Sequence, residues 1–310
     1  MPSRRWTFGT LIAVLLLAGA YMLLSWFIVN EALVAEAHEF DHTPEELGLA
    51  YEDVAFLPRG GEPITLRGWW LPAAVSTETQ GTVIWVHGLD STRAANLPFL
   101  GDLVERGFNV LTFDLRGHGE SEKALMGAGL HEQSDVRGAI DYALAERGAE
   151  PGRLFLVGSS LGAAIALLVG ADEPAVGGVY ADSSFAALSD MITDEVAKRA
   201  VLPLFAAKLL KPGMVLAGRL TKGIDLDAVR PVDAAARYSY RLGIAHCHND
   251  ERIPIEHAEL IRDEAPSGSW FVSYSCEHAK AYDAFPEQYA ATVASYLQER
   301  LDGSPAVASP

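Results

Sequence analysis

The chain opens on a stretch without a charged residue, Trp6 to Asn30, in which Thr10-Leu11-Ile12-Ala13-Val14-Leu15-Leu16-Leu17 and Trp26-Phe27-Ile28-Val29 are almost wholly apolar. A helix of that length crosses a bilayer core of roughly 30 Å, so residues 1–30 are expected to form a transmembrane signal anchor. A cleaved signal peptide is the competing reading, because Arg4 and Arg5 resemble a basic leader and Ala35-Glu36-Ala37 a cleavage site. Its apolar region would then exceed the usual ~7 to 15 residues. A buried core helix is a third reading. Residues 31–50 carry Glu31, Glu36, Glu39, Asp41, Glu45 and Glu46 and no Lys or Arg, which reads as a linker. With positive charge only before the span, the N-terminus is expected in the cytoplasm and the body outside it, either anchored or secreted after cleavage.

From Tyr51 onward, short apolar runs alternate with helical patterns, which predicts a mostly parallel sheet flanked by helices. Strands are expected at 51–57 and 64–71 as an antiparallel pair, then at 82–86, 109–113, 154–157, 178–180, 242–245 and 270–274. Helices fall at about 93–106, 131–147, 160–170, 255–262 and 282–301. The result is an eight-stranded α/β domain over 51–302. Between Ser183 and Tyr240 the chain is rich in Ala, Leu and Met, with Pro203, Pro212 and Pro231 as breakers. So long a connection is expected to form a helical lid over about 183–240. Residues 303–310 read as a disordered tail.

Composition narrows the function classes. The 310 residues are 49% apolar and 21% charged with two cysteines, which excludes a disulfide-framed mini-protein and a disordered chain. A net charge of -17 with no basic run excludes nucleic acid as a partner. Cys247 and Cys276 lack metal-binding spacing, so no metal site is expected.

The chemistry-bearing segment is Leu154-Phe155-Leu156-Val157-Gly158-Ser159-Ser160-Leu161-Gly162-Ala163, an apolar strand entering GxSxG and then a small-residue helix. A turn sharp enough to lift the Ser160 hydroxyl above the strand ends needs strained backbone, and Gly158 and Gly162 make room for it. The bland alternative is an ordinary turn whose serines cap a helix. A serine hydroxyl is a poor nucleophile without a base, and the base needs a carboxylate to orient it. In a doubly wound sheet those groups follow later strands at their C-terminal ends. Asp250 follows the strand at 242–245 and His278 the strand at 270–274. Glu251 and Asp182 are rival acids, and Asp250 could also be a helix N-terminal acid before Ile255. Among nine histidines, His278 alone follows the final strand; His38 and His42 sit in the linker, His246 and His248 beside Asp250, and His87 before Gly88. The expected oxyanion donors are the backbone N–H groups of Leu89, where Gly88 permits close approach, and Leu161.

These blocks resemble the α/β-hydrolase superfamily over roughly Tyr51 to Leu301. Trp85-Val86-His87-Gly88 is similar to its oxyanion loop, Phe113-Asp114-Leu115-Arg116-Gly117-His118-Gly119-Glu120-Ser121 to its D-x-R-G-x-G-x-S turn, and His246 to Pro254 to its acid block. Tyr51-Glu52-Asp53-Val54 leading to Leu66-Arg67-Gly68-Trp69 resembles the Bem46-like and acyl-hydrolase type of membrane-anchored or secreted serine hydrolases. The resemblance implies an α/β-hydrolase fold with a helical lid. It also implies a serine hydrolase acting on esters or thioesters through an acyl-enzyme at Ser160, with His278 as base and Asp250 as its orienter. No metal or organic cofactor is called for, and the substrate expected is a small-molecule or lipid-like acyl compound. A peptidase or amidase with the same residues, and a binding protein that keeps the fold without chemistry, are the rivals. Oligomeric state has no signal here. Two departures stand out: Cys247 replaces the glycine usual in the acid block, and Cys276 lies just before His278. The resemblance places their loops on neighbouring strands, where they form either a disulfide or two buried thiols.

Overall fold

The computed structural model describes residues 4–32, 40, 42–74, 79–200 and 203–303. The expected cleavage site at 35–37, His38 and the expected tail beyond 303 lie outside them. Helix α1 (Arg4–Ala32) opens the chain, followed by β1 (Glu52–Phe56), β2 (Leu66–Leu71), β3 (Gly81–Val86), α2 (Leu97–Glu105), β4 (Phe108–Phe113) and α3 (Glu132–Glu146). Next come β5 (Leu154–Ser159), α4 (Leu161–Gly170), β6 (Val176–Asp182), α5 (Leu188–Arg199), α6 (Leu204–Lys222) and a 3-10 turn at Leu226–Ala228. The chain ends with α7 (Pro231–Ala235), β7 (Gly243–Cys247), α8 (Ile255–Glu264), β8 (Trp270–Tyr274), α9 (Ala281–Ala284) and α10 (Pro286–Leu301).

The eight strands form one sheet in the order β1-β2-β4-β3-β5-β6-β7-β8. As the sequence predicts, β1 and β2 pair antiparallel, with Val54 opposite Gly68, and β3 to β8 run parallel. Every residue of β3 and β5 is buried, whereas β1 alternates. The difference follows from position: a central parallel strand is covered on both faces and an edge strand on one. Trp85, Phe99, Phe155, Tyr180, Tyr289 and Tyr296 fill one face of the sheet.

Two helices differ from their expected form. Residues 93–96 make successive turns instead of the start of a helix, with Ala95 N–H donating to Thr92 O and Leu97 N–H to Ala94 O. Asn96 sits at φ 56°, so α2 begins only at Leu97 with Pro98 in its first turn. The helix expected over 282–301 is split at Phe285, which leaves the helical region at φ -139°, ψ 59°, because Pro286 disfavours a helical residue before it.

The described chain divides into two compact units. One combines α1 with residues 188–229 and the other holds the sheet with its remaining helices. In the first, α1 packs on α6 and α6 on α5. Phe8–Glu31 has mean hydropathy 2.4 and is long and apolar enough to cross a membrane. In the second, residues expected as linker dock on the core. Thr43 and Glu46 cap one turn reciprocally, with Thr43 N–H donating to Glu46 Oε2 at 3.0 Å, and the Phe40 ring meets Trp69 edge-on at 5.2 Å.

Candidate active site

The turn between β5 and α4 places Ser160 at φ 55°, ψ -120°, a conformation costly for a residue with a side chain. The glycines on either side explain how the chain tolerates it. A Cβ on Gly158 would meet Gly162 O at 2.5 Å, and one on Gly162 would run into Val86 O. The Ser160 N–H donates to Asp182 O at 2.8 Å, which ties the turn to the end of β6.

Three side chains from three strand ends meet there. The Ser160 hydroxyl donates to His278 Nε2 at 2.8 Å, and His278 Nδ1–H donates to Asp250 Oδ2 at 2.6 Å. Asp250 is buried, and its Oδ1 accepts the N–H groups of Arg252 at 2.9 Å and Ile253 at 2.7 Å. One oxygen thus organises the turn into α8 and the other faces the imidazole, so the two sequence readings of Asp250 describe the two halves of one carboxylate. Of the rivals, Glu251 is exposed and Asp182 is buried with its Oδ1 accepting the Ser183 hydroxyl at 2.9 Å. Burial holds the Asp182 carboxyl above the usual range. Such an arrangement can carry a proton from Ser160 to His278 while Asp250 fixes the ring.

The β3 loop supplies a fixed edge beside Ser160. A Cβ on Gly88 would lie 3.2 Å from Ser160 Cβ, and Leu89 lines the cavity onto which Ser160 opens. Leu161 opens α4, so its N–H belongs to the first turn, which has no intrahelical acceptor. The loop is pinned by His87, which the sequence places before Gly88 without assigning it a role. Its Nε2 accepts Leu115 N–H at 3.0 Å, which leaves the proton on Nδ1, 2.7 Å from Gly88 O. Complete burial, aided by neighbouring His118, pushes its pKa down to about 3, so the ring stays neutral. The Phe113–Ser121 segment is architectural: Asp114 accepts Arg93 N–H at 2.7 Å and Glu120 N–H at 3.0 Å, and Arg116 grips Asp135.

The loops after β7 and β8 are joined. Cys247 and Cys276 form a disulfide with Cα atoms 5.0 Å apart, and Asn249 N–H donates to Cys276 O at 3.0 Å. His246, beneath them, has its pKa lowered by burial, and its Nε2–H points to Ile253 O at 2.8 Å. Ser160 and His278 open onto a cavity of about 640 Å³. His42, Arg252, Lys280 and Tyr282 line it as well; Arg252 lies two residues after Asp250 and Lys280 two after His278, whereas His42 reaches the cavity only through the fold. Among the described residues no cluster of His, Cys, Asp and Glu is arranged to hold a metal ion.

Comparisons with known proteins agree with this architecture. The family model described as "Serine aminopeptidase, S33" matches residues 77–256, more than half of the chain, and stops short of His278. The uncharacterized protein YfhR of Salmonella typhi is 32% identical over 182 residues, 54% of this chain and 60% of its own length. The chain thus spans less than two thirds of that relative. YqkD of Bacillus subtilis, also uncharacterized, is 24% identical over 73% of this chain and 74% of its own. Among solved structures, a Pyrococcus furiosus esterase superposes with a TM-score of 0.70 at 21% identity, covering 86% of this chain and 97% of that one. A Pyrococcus horikoshii acylaminoacyl peptidase does so at 0.59 and 13%, covering 82% and 42%. At these identities the structures speak for the fold, and the sequence match speaks for ancestry: the chain belongs to the serine aminopeptidase, S33 family of α/β-hydrolases.

Proposed function

We propose that this hydrolase cleaves ester or thioester bonds through an acyl-enzyme on Ser160. The observation that carries the reading is the unbroken chain Ser160–His278–Asp250, at 2.8 and 2.6 Å, rooted on a serine with φ 55°. Ser160 Oγ attacks the acyl carbon as its proton passes to His278 Nε2. The N–H groups of Leu89 and Leu161 receive the oxyanion, and His278 returns the proton to the leaving oxygen or sulfur. Water then repeats the sequence and frees the acid. Asp250 holds the imidazole in the required tautomer, and no step needs a cofactor. The disulfide fits an oxidising exterior, and with Arg4 and Arg5 before the apolar helix it supports a single-pass anchor with the catalytic body outside the cytoplasm. An anchored enzyme favours hydrophobic or lipid-derived acyl substrates.

Hydrolysis of p-nitrophenyl esters from acetate to palmitate by the full-length protein tests the reading, with Ser160→Ala as control. A chain-length optimum that vanishes in the variant is the expected result; equal rates in both forms would remove Ser160 from the mechanism. The family description and the peptidase neighbour favour a second reading, amide cleavage by the same residues. Matched ester and amide substrates separate the two, and a higher kcat/KM for the amide would establish the second.

A further inference from the structure

Within the unit formed by α1, α5 and α6, the free part of α1 is too short to cross a bilayer alone. Every residue from Phe8 to Ala20 is exposed, a length of about 20 Å at 1.5 Å per residue, against a hydrocarbon core of roughly 30 Å. The remaining depth of about 10 Å has to come from Tyr21 to Val29. Ser25 and Val29 there are fully buried, and Tyr21 is fastened to α6. Pro212 interrupts α6, and the Tyr21 hydroxyl enters its hydrogen-bond ladder, accepting Gly213 N–H at 2.9 Å and donating to Leu209 O at 2.8 Å. Gly213 allows the approach, since a Cβ there would lie 2.5 Å from the Tyr21 ring. A span by α1 therefore brings this part of α6 within about 10 Å of the outer hydrocarbon boundary, the depth to which an interfacial helix sinks.

The sequence of α6 suits that depth. Phe205, Leu209, Leu216 and Leu220 form an exposed apolar stripe. The same helix carries Lys208, Lys211, Arg219 and Lys222 and no acidic residue, in a chain of net charge -17; Lys211 pairs with Asp190 and Arg219 with Asp225, so the charge argument rests on Lys208 and Lys222. An apolar stripe with basic flanks matches a helix lying in the headgroup region of an anionic leaflet.

We infer that α6 is a second membrane contact, seated in the surface of an anionic leaflet beside the span of α1. The inference rests on the anchor reading of α1 and is independent of the chemistry at Ser160. The full chain is reconstituted in vesicles of phosphatidylcholine with and without phosphatidylglycerol. Because the native cysteines are paired, a single introduced thiol takes a fluorophore, at Leu209→Cys or Leu216→Cys, with Leu16→Cys as reference in the span and Leu57→Cys on the sheet unit as aqueous reference. Reduction by aqueous dithionite is expected to be an order of magnitude slower at 209 and 216 than at 57 in the anionic vesicles. That protection is expected to fall several-fold in phosphatidylcholine alone and in K208E/K222E. G213L, which forces α6 away from Tyr21, is expected to expose 209 while 16 stays protected.

Reduction at 209 and 216 as fast as at 57, with 16 protected, would overturn the inference and leave the anchor intact. Fast reduction at 16 as well would overturn both. Protection that ignores lipid charge and K208E/K222E, or that fades as protein is diluted in lipid, would assign the stripe to the rest of the chain or to a second copy, and would equally overturn it. Ester hydrolysis in the same vesicles is read separately, so none of these outcomes bears on the proposed reaction.

Discussion

Two buried carboxylates end neighbouring parallel strands, Asp182 on β6 and Asp250 after β7, at 2% and 6% exposure. Burial alone does not distinguish them; their donors do. Asp250 sits in a turn that aims the N–H groups of Arg252 and Ile253 at one oxygen and leaves the other to His278. Asp182 Oδ1 takes the Ser183 hydroxyl, and burial pushes its carboxyl toward the neutral form. The two backbone donors fix the Asp250 carboxyl in place, with its second oxygen aimed at the imidazole it is to steady. The Asp250 loop is also tied to the His278 loop by Cys247–Cys276.

The largest effect expected from breaking this asymmetry is on turnover. Asp250→Asn should lower kcat on the order of 10³ to 10⁴, because the amide can hold His278 in the wrong tautomer. Asp182→Asn should change it less than about tenfold. Single-turnover acylation measures both, and a reversed ranking would make Asp182 the orienting acid. Severing the tie comes next: Cys276→Ser should lose about 2 to 4 kcal/mol in urea unfolding, with dithiothreitol giving the same loss in the native protein and none in the variant.

A smaller effect concerns the loop opposite the acids. His87, at about 3 in the fold against a usual value near 6.5, refuses a proton that the unfolded chain accepts. Its contribution to stability is complete above pH 6.5 and lost as pH falls toward 3. The stability advantage of native protein over His87→Gln should therefore shrink by about 2 kcal/mol between pH 7 and pH 5; a gap that stays constant would mean that His87 titrates alike in the folded and unfolded chains, and one that widens that it is charged in the fold. Asp135, raised to about 6 by burial, acts with the opposite sign and is present in both proteins, so it cancels. Least of all, Asp182→Asn should flatten the stability loss that the native carboxyl suffers as pH rises above the ordinary carboxylate range, visible as a small change in slope in the same series.

Much of this frame is legible in the sequence because it is local. Alternating apolar runs give the strands, and the spacing of Gly158, Ser160 and Gly162 announces a turn that the structure places at φ 55°. The eight strands with their antiparallel start follow from the same runs, whereas the place of β4 between β2 and β3 does not. What is hidden depends on distant partners. The neutral state of His87 is set by its complete burial and its tautomer by Leu115 N–H, and the choice between Asp250 and Asp182 by which of the two reaches His278. The break at Phe285 was signalled by Pro286, but the helical periodicity on both sides masked it. The docking of Phe40 on Trp69 has no local signature, since an acidic stretch that reads as linker contains its apolar anchor.

The insertion of Tyr21 into the ladder of α6 carries a consequence for synthesis. Tyr21 and Leu209 are separated by 188 residues, and at about 5 to 20 residues per second the second emerges roughly 10 to 40 s after the first. The helix made first thus completes its packing after most of the sheet's strands have left the ribosome. Until then its tyrosine hydroxyl and the small-residue seat at Gly213 have not met, and the last two strands with the core residues Tyr289 and Tyr296 follow only afterwards, so the two helices can close on each other before the sheet is complete.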